Sequence, residues 1–185
     1  MKNNFQLKIM NQSWLDTSST EYDLCSHGEI YLQVNDTIIT QSGVDEEWGI
    51  SESALALLRT LDEDYICNLN ELDKEEGLIF HGCGAILMMG CPIAIHWSVK
   101  HTNDQVLLSD FVKVTTTSTD EATHYPNLQI ELNKEDYKKQ ILQFVLQAKQ
   151  LFQTSPTKVF YDDYDKQMYK EFWEEYDQLI QKATI

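Results

Sequence analysis

Basic residues are scarce in this chain, and so are glycine and proline. Against 30 acidic side chains stand 14 basic ones, a net charge of −16 at pH 7. The basic residues never cluster beyond Lys138-Lys139, and no basic-aromatic surface is evident, which argues against nucleic-acid binding. The same charge repels anionic lipid. With 7 Gly and 3 Pro, low-complexity linkers are absent. The one glycine-rich tetrad, His81-Gly82-Cys83-Gly84, lacks the Lys-Ser/Thr and the following helix that a phosphate loop needs. Residues 78–99 form the longest mainly apolar stretch, and His81, Gly82, Gly84, Gly90, Pro92 and His96 break it too often for a membrane span. Residues 1–8 hold no apolar run of signal-peptide length, so a cytoplasmic location is expected. Reduced thiols are then expected for Cys25, Cys67, Cys83 and Cys91.

What is present is globular. Apolar residues make up 42% of the chain and aromatics 11%, over 185 residues, enough for one domain with a proper core. Phe5, Leu7 and Ile9 alternate with polar neighbours as in a half-exposed strand. Residues 30–34 and 37–40 flank Asn35-Asp36, a hairpin signal. Ser51 is placed to cap a helix in which Ala54, Leu55, Leu57, Leu58 and Leu61 share one stripe. Further strands are expected at 78–80, 85–89, 93–99, 106–114 and 128–132, with 93–99 and 106–114 paired around His101-Thr102-Asn103-Asp104. Two helices close the chain. One starts near Asn133 and carries Tyr137, Ile141, Phe144, Val145, Ala148, Leu151 and Phe152. The other starts near Asp162-Asp163 and carries Met168, Phe172, Tyr176, Leu179 and Ile180. Strands in a run, then helices in a run, predict a single α+β domain over residues 1–185. Its architecture would be a mainly antiparallel sheet, with one helix in the N-terminal half and two C-terminal helices packed on it.

The acidic charge is localised. Residues 45–76 hold eleven acids against Arg59 and Lys74, a balance of −9; the remainder divides as −3 over 1–44, −1 over 77–155 and −3 over 156–185. Asp62, Glu63 and Asp64 stand at the C-terminal end of the first helix, against its dipole, at a cost of a few tenths to about 1 kcal/mol. Such a field attracts a basic protein. The candidate contact set is Asp45, Glu46, Glu47, Trp48, Asp62, Glu63 and Asp64, with Trp48 as an aromatic anchor among carboxylates. The plainer role for Trp48 is a staple over the helix start.

Other constellations carry weaker chemistry. His81, Cys83, Cys91 and His96 offer the donors zinc prefers, although H-x-C, x₇-C, x₄-H matches no usual zinc spacing. They mark the alternative reading, a metal protein or enzyme. Cys25-Ser26-His27-Gly28 places a thiol and an imidazole two residues apart, without a third group to orient the base. Phe160-Tyr161-Asp162-Asp163-Tyr164-Asp165 joins acids to aromatics, and its aspartates suit a helix N-terminus. No catalytic residue and no cofactor is assigned.

The stretches Cys25-Ser26-His27-Gly28-Glu29-Ile30, Trp48-Gly49-Ile50-Ser51-Glu52-Ser53-Ala54-Leu55-Ala56-Leu57-Leu58-Arg59-Thr60-Leu61 and the block 81–97 complete the picture of a small, acidic α+β chain. In character it resembles the immunity proteins of bacterial toxin systems. That resemblance implies a non-catalytic inhibitor that binds a cognate toxin, often a basic nuclease. It supplies no binding residues position by position.

Overall fold

The computed structural model describes residues 4–74, 77–81 and 91–184. The fold is α+β, a curled antiparallel sheet with three helices packed on it, as the order of elements predicts. Chain order begins with four strands, β1 (Phe5–Ile9), β2 (His27–Gly28), β3 (Ile30–Val34) and β4 (Thr37–Thr40). A short β5 (Trp48–Gly49) runs straight into helix α1 (Ile50–Arg59). Next come β6 (Ile79–His81), β7 (Ala94–Thr102), β8 (Gln105–Val114), a 3₁₀ turn at Thr119–Glu121, β9 (Thr123–His124) and β10 (Ile130–Asn133). Helices α2 (Lys134–Gln153) and α3 (Asp163–Thr184) finish the chain. The expected strand at 85–89 lies outside the described residues.

Strands β1, β3 and β4 form one antiparallel set, and β10-β8-β7-β6-β5-β2 a second, with β9 paired to β8. The hairpin at Asn35-Asp36 is present. Val34 faces Thr37, and Asn35 takes a left-handed φ of 53°. The β7–β8 turn is tighter than the sequence suggests: His101 and Thr102 remain in the ladder, leaving Asn103-Asp104 as the loop.

Alternation decides which face is buried. Phe5, Leu7 and Ile9 of β1 join Ile95, Trp97 and Val99 of β7 in one core, against Leu55, Leu57 and Leu58 of α1 and Ile141, Phe144 and Val145 of α2. Helix α3 adds Phe172 and Tyr176, whose hydroxyl donates to the Val145 carbonyl at 2.8 Å. On the other face of the sheet, Val112 and Val114 meet Cys67 and Leu72 in a smaller cluster.

The helix ends differ in how well the sequence marks them. Asn133 caps α2 by accepting the Glu135 N–H at 2.9 Å. Asp162 likewise accepts the Asp165 N–H at 2.8 Å at the start of α3. Ser51 does not cap α1. The helix starts two residues earlier than that cap implies, at Ile50 behind Gly49, and the Ser51 hydroxyl accepts the Ser26 N–H at 2.9 Å. A buried amide just before β2 takes that oxygen instead.

Candidate functional site

Helix α1 separates the expected contact residues into two groups. Its ten residues span about 15 Å, with Asp45, Glu46, Glu47 and Trp48 before it and Asp62, Glu63 and Asp64 after it. The two groups do not form one continuous ring.

At the N-terminal end, Asp45 and Glu47 are exposed. Glu46 is turned inward. Lys113 of β8 donates to one carboxylate oxygen at 2.7 Å, the Thr40 hydroxyl donates to the other at 2.7 Å, and both charged side chains are about 15% exposed. Glu46 is thus neutralised within the fold. Trp48 takes the plainer of its two expected roles, in the core, and the anchor role is corrected. It is 2% exposed, packed in the main core with Ile50 and Ile79, and cannot anchor a partner. Register explains this: Trp48 pairs with His81 of β6, on the face that carries Ile79 and Ile95 of the core.

The C-terminal end is different. Asp62, Glu63 and Asp64 are all exposed at the negative pole of the α1 dipole. Asp62 meets Lys182 at 3.0 Å, an ion pair that solvent screens heavily. Asp64 is held in place. Its carboxylate accepts the His101 N–H at 2.7 Å, and the next residue, Tyr65, exchanges backbone hydrogen bonds of 2.9 and 2.7 Å with Val99. The His101 imidazole donates through Nε2 to the Thr60 carbonyl at 3.0 Å, closing the same turn against the end of β7. Glu63 makes no hydrogen bond or ion pair among the described residues. Beside these groups opens a cavity of about 230 Å³, lined by Ala56, Arg59, Thr60, Glu63, Asp64, Tyr65, Gly77 and Leu78. Arg59, the only arginine in the chain, is turned towards α3, where its guanidinium forms a bidentate pair with Glu175 at 2.7 and 2.9 Å. That guanidinium holds the Glu175 carboxyl below its ordinary range. The cavity was not legible in the sequence. Tyr65, Gly77 and Leu78 reach it through tertiary contacts, and only the position of Tyr65 directly after the acidic triplet hinted at it.

The thiol and imidazole groups do not assemble as the alternative reading requires. His81 Nδ1 lies 3.7 Å from Cys91 Sγ. His96 stands on the opposite face of the sheet, because Ile79 and Ile95 are register partners and His96 follows Ile95. It is fully buried, and neither ring nitrogen has a polar partner among the described residues. Burial lowers its pKa to about 4, so the ring is neutral. Cys83 lies outside the described residues. Among those described, no group of three or more His, Cys, Asp or Glu is arranged to hold a metal. Cys25 Sγ and His27 Nε2 approach to 3.7 Å, but both side chains are shut from solvent, which leaves a substrate no route to them. Burial also pushes the His27 pKa down, against the pull of Glu47 and Asp23.

Compared with protein-family models, curated proteins and solved structures, the chain matches none. The class defined by fold and site is therefore an acidic α+β protein with a carboxylate-rimmed cavity. Among the described residues no helix is long and apolar enough to cross a membrane.

Proposed function

We propose that this is a non-catalytic binding protein of the immunity or inhibitor kind, which docks a basic protein partner such as a cognate toxin. One observation carries the reading. Asp62, Glu63 and Asp64 stand exposed at the negative pole of α1, and two of them line a cavity open to a partner's side chain. The contact set narrows accordingly to Asp62, Glu63 and Asp64, with Asp45 and Glu47 contributing long-range field. Glu46 and Trp48 drop out, one paired inside the fold and the other buried. Carboxylates in this position steer a positive surface towards the site and set its register more than they add affinity. For Glu63, which has no partner among the described residues, the cost of a carboxylate against the helix dipole supports a role outside folding.

Affinity capture from the producing organism tests the proposal, using wild type and the double variant E63K/D64K at low and at high salt. A basic protein held by wild type at low salt, lost at high salt and lost from the variant is the expected result. Equal retention by both proteins, or retention that salt leaves untouched, overturns it.

A further inference from the structure

Three tyrosine side chains of the described residues are exposed; two of them meet, and the third follows three residues later in the chain. Tyr161 is 79% exposed, Tyr164 70% and Tyr22 40%, whereas every other described aromatic ring is buried or half-buried. Tyr22 and Tyr161 stack with ring centroids 5.3 Å apart and planes 28° from parallel. The backbone beneath them is fixed, since the Val159 N–H donates to the Glu21 carbonyl at 2.8 Å. Tyr164 follows in the first turn of α3. Neither the Tyr161 nor the Tyr164 hydroxyl has a hydrogen-bond partner among the described residues. Tyr161 and Tyr164 leave most of their surface in water, so core packing does not account for them.

Acidic side chains outnumber cations in their surroundings. Asp162 and Asp163 lie between the two tyrosines, Asp165 follows, and Glu21 and Asp23 flank Tyr22. Lys158, three residues before Tyr161, points inward. Its ammonium sits 3.4 Å from the centre of the Trp14 ring, donates to the Thr20 carbonyl at 2.8 Å and is buried. Burial lowers its pKa from the ordinary lysine value. Lys166, one turn into α3, is the nearest exposed cation in sequence. This tyrosine corner therefore shows two aromatic-acid environments: an inner one already filled by Lys158, and an outer one of the same chemistry left open.

We infer that the Tyr22–Tyr161–Tyr164 face is a second docking surface, which takes a lysine- or arginine-bearing segment of a basic protein partner. A guanidinium or ammonium laid on these rings gains cation–π attraction that grows as water leaves. The aspartates pair with neighbouring cations and exclude acidic segments. Tyrosine suits the role because it presents a rigid ring at low entropic cost. From the proposed function the inference takes only the sign of the partner's charge; the surface itself lies away from the α1 cavity.

The test uses the full chain, isotopically labelled, and a short synthetic peptide of alternating arginine and glycine, with a glutamate-for-arginine peptide as control. Amide chemical shifts are followed at low salt. Saturable shifts centred on residues 20–23 and 158–166, seen only with the arginine peptide, are expected. The variant Y161A/Y164A should weaken this binding about tenfold. D62N/E63Q/D64N should leave binding at the tyrosine face unchanged. Shifts confined to residues 60–65 would overturn this inference while leaving the proposed function standing. Shifts spread evenly over the acidic surface, or an unchanged affinity in Y161A/Y164A, would also overturn it. So would a concentration-dependent dimer that Y161A/Y164A abolishes, since it would assign the face to a second copy of the chain.

Discussion

The Thr60 hydroxyl has a single proton and two partners. It lies 2.7 Å from the Leu57 carbonyl, which can only accept, and 2.7 Å from the Tyr137 hydroxyl. The threonine proton therefore goes to Leu57, and Tyr137 must donate to Thr60. Desolvation raises the pKa of this fully buried phenol well above its ordinary value. Replacing Thr60 with valine strands a buried donor, at about 1–3 kcal/mol, whereas Tyr137→Phe forfeits one net hydrogen bond, about 1 kcal/mol. Urea denaturation should thus rank T60V as the more damaging change; equal or reversed costs would contradict the assigned donor direction. His96 gives a second prediction at this scale. Its folded pKa of about 4 lies below the ordinary 6.5, so the unfolded chain binds more protons between these values. Stability from the neutral ring is complete above pH 6.5, declines as pH falls towards 4 and levels off below, a loss of about 3 kcal/mol. His96→Leu should flatten this part of the stability profile relative to wild type. An unchanged profile would show that the ring is not held neutral by burial.

Among the elements, the Glu46–Lys113 pair ties the segment before α1 to β8. Lys113→Met leaves the half-buried carboxylate with Thr40 alone, and a loss of about 1–3 kcal/mol is expected by denaturant titration. A loss near zero would mean that Glu46 swings out to solvent. The same elements show what periodicity can and cannot reveal. Strand β1, helix α1 and both C-terminal helices were legible because each carries several apolar residues at a fixed spacing, such as Tyr137, Ile141, Phe144, Val145 and Ala148 in α2. Strands β2 and β5 have two residues each, too few for any period to register. They exist because the fold brings partners to them. Gly28 in β2 passes so near the Asn11 carbonyl oxygen that a Cβ would lie 2.1 Å from it. Without β5 in view the facing of Trp48 could not be read: its register with β6 puts the ring on the face that carries Ile79 and Ile95, against the core. The pairing of Glu46 with Lys113, 67 residues away, had no local signal either.

Over the whole molecule, a net charge of −16 remains after every lysine and arginine is counted, those paired as Arg59–Glu175, Lys149–Asp177 and Lys182–Asp62 included. Self-repulsion of this kind keeps a protein soluble and separate, and it weakens as salt rises. Localisation, not total charge, carries the functional reading. The negative end of α1 and the tyrosine corner are distinct places; the first presents carboxylates beside a cavity, the second beside exposed rings. The most direct measurement is the association rate between this protein and the partner it captures, recorded over a range of ionic strength for wild type and E63K/D64K. The account predicts a rate that falls steeply with salt for wild type and is at least about tenfold lower at low salt in the variant. Rates that coincide for the two proteins at every salt concentration would contradict it.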